Sequence, residues 1–259
     1  MAPNEISNLK LWLVADRVNM TVRGTDEIQL WNDISGNSRQ FESSAQANEP
    51  FVIDSVINGK SVARFDGSSE FLRDNGAASY YDFYHGATSS SQKCTAALLF
   101  YITDLDPEKN QQLLGTHAGN SANSGSAFPH LTAGADDDKM QYTVFRFVSG
   151  TNVVQYKTPN NSCLTQLWNW VMCDLDTTIT TDCSHIFINN VEQAKSDRNN
   201  PPHTGGPTAT LHIGVLSTQS TYTKMDLREV VMYDKVLSQA ERDGLARYYN
   251  DEYGLTISI

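Results

Sequence analysis

The chain has 259 residues, of which 39% are hydrophobic and 19% are charged, and its formal net charge at neutral pH is −11. This acidic balance argues against nucleic acid or an anionic membrane surface as the main partner. No apolar run approaches the roughly 18 residues that a membrane-spanning helix needs, so no membrane insertion is expected.

Short apolar runs separated by turn signals are typical of an all-β sandwich or barrel. Asn58-Gly59 between two such runs favours a two-residue hairpin, because a type I′ turn needs a positive φ at both positions. The run 95–102 is almost wholly apolar and is expected to cross the centre of the core. Strands are predicted at 9–15, 28–31, 51–57, 60–65 and 95–102, and near 140–148, 152–157, 167–175, 184–189, 209–215 and 225–233.

Three stretches, 74–92, 115–138 and 197–208, are predicted to be long loops. One helix is predicted at the end of the chain. Ser238 and Glu241 form a capping box at its start, and Gly254 follows the expected last residue, Tyr253, as the C′ position.

Several groups of residues together resemble a known family. They are LWLVAD (11–16), WNDISGN (31–37), INGK (57–60), ARFDG (63–67) with Phe71-Leu72, INNV (188–191), HIG (212–214), EVVMYD (229–234), LSQAER (237–242) and YGL (253–255). Over roughly residues 9–255 the chain resembles the concanavalin A-like lectin/glucanase superfamily, in its laminin-G-like branch. The resemblance implies a jelly-roll sandwich of two curved antiparallel sheets. The expected organisation is therefore a single domain over 1–259, with its core at 9–255 and one C-terminal helix.

Paired catalytic carboxylates are missing from the sequence pattern. Glycoside hydrolysis needs two carboxyl groups at a fixed separation, and the sandwich glucanases would supply them from an E-x-D-x-x-E strand. The chain has no such strand, and Glu27, Glu42, Glu49, Glu70 and Glu108 are scattered among loops and turns. The chain is therefore expected not to be an enzyme. Glu229, on a late strand, could instead pair with a basic residue such as Arg64.

Calcium is the metal that the sequence favours over zinc, although no cofactor is required. The six histidines have no zinc-binding spacing. Calcium prefers six to eight oxygen ligands, and many proteins of the resembled branch hold it on a rim loop. The candidate ligands are Asp66, Asp136, Asp137 and Asp138, and the alternative is that they form a solvated acidic surface.

An aromatic cluster lies in the first predicted loop, where its residues are Tyr80, Tyr81, Phe83, Tyr84 and His85. Aromatic rings can stack on sugars, and Tyr and Phe are also enriched in protein interfaces. A third interpretation is that the rings pack the loop onto the sandwich. These residues are the candidate ligand or partner site.

Four cysteines, at 94, 163, 173 and 183, are expected to be free thiols. Cys173 and Cys183 are symmetric about Thr178. They would face each other if an odd-numbered turn were centred there, and would point to opposite faces otherwise. They are the one pair expected to oxidise.

The leading functional hypothesis is a non-catalytic, lectin-like structural protein on the surface of a bacteriophage virion, as a capsid decoration or a tail receptor-binding appendage. Its partners would be a capsid or tail protein, other copies in a trimer, and a cell-surface glycan. The start of the sequence carries no secretion signal, which favours synthesis in a host cytoplasm. The first alternative is an extracellular carbohydrate-binding module or surface lectin. The second is a glycan-active enzyme whose site the sequence does not reveal.

Overall fold

The computed structural model describes residues 1–85, 93–102, 111–116, 125–131, 140–146, 152–159, 162–176, 178–179, 182–194, 196–198, 207, 209–215 and 222–259. For His85 and for residues 125–131, 140–146, 152–157 and 196–198 it describes the backbone. Among the described residues, no helix is both long enough and apolar enough to cross a membrane.

The described residues form nineteen strands and two α-helices. The strands are β1 (Leu9–Val14), β2 (Met20–Val22), β3 (Ile28–Asn32), β4 (Gln40–Glu42), β5 (Phe51–Ile57), β6 (Lys60–Asp66), β7 (Leu72–Asp74), β8 (Lys93–Tyr101), β9 (Gln111–Gln112), β10 (Leu114–Gly115), β11 (Gly125–Leu131), β12 (Met140–Arg146), β13 (Asn152–Lys157), β14 (Trp168–Asp176), β15 (Ile186–Ile188), β16 (Val191–Glu192), β17 (Ser196–Arg198), β18 (His212–Ile213) and β19 (Lys224–Tyr233). The helices are α1 (Asp82–His85) and α2 (Gln239–Tyr253), and short 3₁₀ helices lie at Pro3–Glu5, Arg17–Asn19, Gln46–Asn48 and Ala78–Tyr81.

These strands form two antiparallel sheets. Sheet A has the order β16-β15-β14-β8-β19-β6-β5, and β1 pairs with β19. Sheet B has the order β17-β13-β12-β11-β10-β18-β7-β4-β3-β2, and β9 pairs with β11. The two sheets and the C-terminal helix confirm the predicted sandwich.

The predicted hairpin is confirmed, and one predicted loop is wrong. Asn58 and Gly59 have φ values of 46° and 74°, and they connect β5 to β6. The stretch 115–138 contains β11, which the sequence did not predict because its residues include Gly125 and Pro129, both poor strand formers. Pairing of β11 with β12, β9 and β10 supplies the ladder, and a register shift between Ala127 and His130 spans the proline.

Sheet A is covered on both faces, because successive residues of a strand point to opposite sides. On its inner face, residues such as Leu98 and Val230 join a core that includes Trp31 from sheet B. On its outer face, Leu99 and Val231 join a second core with residues of α2. This double coverage explains why the apolar run at 95–102 lacks polar alternation.

Helix α2 begins and ends where the sequence predicted. The Ser238 hydroxyl accepts from the Glu241 backbone amide at 3.4 Å, and the Glu241 carboxylate accepts from the Ser238 amide at 2.9 Å. Gly254 closes the helix in the left-handed region with φ 67°. Leu245 and Tyr249 are fully buried against sheet A, so tertiary packing holds the helix there.

Glu229 is fully buried between sheet A and α2. Trp12 Nε1 donates to its Oε1 at 2.7 Å, and the Tyr253 hydroxyl donates to Oε2. Burial raises the pKa of Glu229 to about 7, although both hydrogen bonds act to lower it. The predicted pairing of Glu229 with Arg64 is wrong, since Arg64 is bound to Asp226 instead.

All four cysteines are buried, and none is in a disulfide. Cys173 lies opposite Ile186 rather than Cys183, so the hairpin is not centred on Thr178. The proposed opposition of Cys173 and Cys183 is therefore wrong. Burial raises the pKa of both Cys94 and Cys173, which lowers their reactivity as thiolates.

The first prediction concerns Glu229→Gln and the dependence of stability on pH. The folded-state pKa of Glu229 lies above its ordinary value of 4.5, so Glu229 loses stabilising effect as the pH rises through about 7. The variant keeps a hydrogen-bond acceptor but does not titrate. Urea unfolding from about pH 5 to about pH 8 should show the variant gaining stability relative to the original chain, by up to about 3 kcal/mol. If the free energy of unfolding depended on pH in the same way in both proteins, the raised pKa of this carboxyl group would be contradicted.

Candidate functional site

Five side chains form a row across the outer face of sheet A, at the end that α2 leaves open. The registers pair Trp168 with Tyr101, Tyr101 with Asp226, Asp226 with Arg64, and Arg64 with Phe51. Residues directly opposite each other in a sheet share one face. The row therefore carries an ion pair in the middle and aromatic rings on both sides.

The ion pair at the centre of the row is bidentate. Arg64 Nε donates to Asp226 Oδ1 at 2.7 Å, and Arg64 Nη2 donates to Oδ2 at 2.8 Å. The Arg64 side chain is 50% exposed and that of Asp226 is 9% exposed. The hydrogen bond to Asp226 raises the pKa of Arg64, although burial acts against it. The pair presents donors and acceptors to solvent with no net charge.

A cavity of about 690 Å³ lies over this part of the row. Its size is in the range of small-ligand sites. Phe51 and Tyr101 contribute partly exposed rings to its lining, and charged groups surround them. The other lining residues are Ile53, Arg64, Phe65, Asp66, Glu70, Lys224, Met225 and Asp226.

A second depression, of about 470 Å³, is lined by Phe51 and Glu70 as well, and by Glu27, Gln46, Ala47 and Glu49. Glu70 therefore lies where the two depressions meet. Its carboxylate accepts from the Asp66 amide at 2.6 Å, and the residue is 6% exposed. Burial, together with the nearby charge of Asp66, raises the pKa of Glu70 to about 7, although the hydrogen bond from the Asp66 amide acts to lower it.

Asp66, a predicted calcium ligand, lies in a tight turn beside the cavity. Its Oδ1 accepts from the amides of Ser68 and Ser69 at 2.7 and 3.0 Å. Burial acts to raise the pKa of Asp66, but these hydrogen bonds lower it below its usual value. Within the described ranges, no group of three or more acidic, His or Cys side chains could hold a metal. The other three candidates, Asp136, Asp137 and Asp138, lie outside the described residues, so calcium binding stays a prediction.

The predicted aromatic site is mostly core. Tyr81 and Tyr84 are fully buried and Phe83 is 8% exposed, which assigns these three to the packing of the loop rather than to an open ligand surface. Tyr80 is partly exposed, and its hydroxyl donates to the Lys10 carbonyl at 2.6 Å. The side chain of His85 lies outside the described residues.

The outer-face row was missed in the sequence because it depends on register. Phe51 and Tyr101 each lie near the end of a predicted strand. The alternation of side chains along each strand places both rings on the outer face, away from the inner core. The signal that could have found them is an aromatic residue two positions from an outer-face core residue, as Tyr101 is from Leu99.

The two-sheet sandwich with its C-terminal helix is a lectin-like fold. Residues 74–241 match the family model described as the concanavalin A-like lectin/glucanases superfamily, in its Laminin G 3 family. The chain belongs to this family, as the sequence resemblance indicated. None of the curated proteins matches the chain.

Solved structures share the fold at low sequence identity. Trypanosoma rangeli sialidase, in complex with 2,3-difluorosialic acid, is 14% identical with a TM-score of 0.60, and the match covers 93% of this chain and 33% of the sialidase. The binding domain of botulinum neurotoxin serotype G is 11% identical with a TM-score of 0.61, and the match covers 94% of this chain and 51% of that one. The chain thus spans a third to a half of these structures.

A third similar structure is nearly the same length as the chain. It is domain 4 of an extracellular GH43 arabinanase from Geobacillus stearothermophilus, in complex with arabinotriose. It is 14% identical with a TM-score of 0.54, and the match covers 92% of this chain and 98% of that domain. Identities this low show a shared fold alone.

The second prediction concerns Asp66→Asn and the pKa of Glu70. The negative charge of Asp66 helps to hold that pKa near 7, so the neutral side chain should lower it. Asparagine can still accept the hydrogen bonds of the turn. A carboxyl ¹³C titration of Glu70 from about pH 4 to about pH 9 measures the change. Asp226→Asn is the matched control and should leave the Glu70 pKa in place. An unchanged midpoint in Asp66→Asn would refute the coupling.

Proposed function

We propose that the protein is a non-catalytic glycan-binding domain whose binding site is the cavity over the outer-face row. The observation that carries the proposal is the juxtaposition of the Phe51 and Tyr101 rings with the Arg64–Asp226 pair in one cavity. Aromatic rings offer flat apolar surfaces to sugar rings, and the ion pair offers directional groups to hydroxyls. The arabinanase domain, which was solved with a bound trisaccharide, has the same fold.

The carboxylates around the cavity support binding rather than hydrolysis. Asp226 is held by Arg64, Asp66 by the amides of its turn, and Glu70 by the Asp66 amide. A retaining glycosidase needs a free nucleophile and an acid about 5–5.5 Å apart. Carboxylates already committed to local structure fit that role poorly. A polysaccharide panel should show no turnover, and turnover lost in Glu70→Gln would favour the enzyme alternative.

The placement of this domain on a virion remains a proposal that rests on the sequence resemblance. It includes a capsid or tail partner, a trimer and exposure on the particle surface. The alternative, a module or lectin of a secreted protein, accounts equally well for glycan binding. Light scattering tests the trimer, and the genes that neighbour the coding sequence distinguish a phage appendage from a secreted protein.

The third prediction tests the binding site itself. A glycan array should identify ligands. Phe51→Ala and Tyr101→Ala should each lower the affinity for the best ligand by about tenfold, or about 1.4 kcal/mol, because each removes a stacking surface. Isothermal titration calorimetry measures the affinities, and circular dichroism checks the fold.

Two variants outside the cavity serve as controls. Arg17 forms a bidentate pair with Asp54 on the surface, so Arg17→Ala controls for the truncation of a surface side chain that pairs with an acid. Val18 is 88% exposed, so Val18→Ala controls for a surface truncation. Both should bind as the original chain does. Equal losses in the controls and the cavity variants, or no ligand on the array, would refute the proposal.

A further inference from the structure

We infer that the ligand is an uncharged oligosaccharide that lies across the strands of sheet A, from Phe51 towards Trp168, and that acidic glycans are excluded. This inference rests on the proposed function and adds the class and the orientation of the ligand. It follows from the length of the row, from the charges around it and from the groups that the ion pair leaves available.

The row is longer than one sugar ring. It crosses five strands, and four strand spacings of about 4.8 Å give a length of roughly 19 Å. The Tyr101 and Trp168 rings lie next to each other, with centroids 5.6 Å apart. Trp168 also lines a further depression of about 270 Å³, together with Leu164, Leu167 and Leu255. A track of ring surfaces therefore continues beyond the main cavity, and a single monosaccharide would leave most of it uncovered.

Carboxyl groups outnumber cationic groups along the track. The main cavity has three carboxyl groups, Asp66, Glu70 and Asp226, and two cationic groups, Arg64 and Lys224. The adjoining depression adds Glu27 and Glu49 to its lining, and Glu49 is paired with Arg23. A carboxylate of a sialic or uronic acid would lose water on binding and meet these like charges, which is unfavourable. A neutral sugar pays neither cost.

The ion pair is suited to hydroxyl groups. A guanidinium has five N–H donors, and Asp226 engages the edge formed by Nε and Nη2. The Nη1 group is not part of this pairing, and carboxylate oxygens can accept more than one hydrogen bond. The pair therefore offers a donor and acceptors side by side without a net charge, and sugar hydroxyls both donate and accept.

Calorimetry with defined oligosaccharides tests this inference. The probes are neutral gluco-, galacto- and arabino-oligosaccharides of one to six units, and the pair lactose and 3′-sialyllactose. Affinity for one neutral series should rise by at least about tenfold from the shortest to the longest member, and Trp168→Ala should remove that gain while it leaves the shortest ligands unaffected. Lactose should bind more tightly than 3′-sialyllactose.

A variant that removes a charge tests the exclusion of acidic glycans separately from Trp168→Ala. Glu70→Gln removes a carboxylate from the track and should narrow the difference between lactose and 3′-sialyllactose, whereas Asp26→Asn, on the Arg17 ion pair away from the cavity, should not. Binding that is independent of length, or tighter binding of the sialylated ligand, would overturn the inference and leave the glycan-binding proposal standing. No binding to any glycan, on the array or in solution, would overturn both.

Discussion

Sheet A is sealed on its inner face but only partly on its outer face, and the position of the candidate site depends on this difference. Helix α2 covers the outer face where Leu99 and Trp170 lie. Two residues further along the same strands, on the same face, stand Tyr101 and Trp168, which remain partly exposed. On the outer face, the boundary between buried and accessible residues therefore lies between positions that are two residues apart in the strand. Burial of one half of the outer face stabilises the sheet, and the other half remains accessible to solvent.

A bulge in the central strand β19 makes this division possible. Leu227 lies opposite Phe100 and Glu229 opposite Leu99, so Arg228 is the extra residue. The bulge lets Leu227 face the inner core while Glu229 faces α2, although residues two positions apart in a regular strand share one face. Arg228 turns inward, where its Nη1 donates to the Ala15 carbonyl at 2.8 Å and pairs with Asp16. Arg228 is therefore buried and ion-paired at the point where the outer face changes from core to candidate site, although its Nε has no hydrogen-bond partner among the described residues.

The sequence predicted those features that local chemistry determines. The Asn58-Gly59 turn and the capping box at Ser238 each depend on a few adjacent residues, and both were confirmed. The predicted partner of Arg64 was wrong because the register of β6 against β19 places Asp226 opposite Arg64, and no local signal fixes that register. The sequence left three interpretations of the aromatic cluster open, and the burial of Tyr81, which favours packing, depends on contacts distant in sequence. Register and burial are long-range properties, and the site is built from them.

Substitutions in the candidate site and in the core differ in their expected effect on stability. An ion pair in which one partner is half exposed contributes about 0–1 kcal/mol to stability, whereas truncation of a buried ring such as Trp170 costs about 3–5 kcal/mol. Residues of the row can therefore be replaced with little effect on the fold. Structures that are only 10–14% identical share this fold. In this chain, the candidate site consists of the five residues that the helix leaves uncovered, and their neighbours two positions away belong to the core.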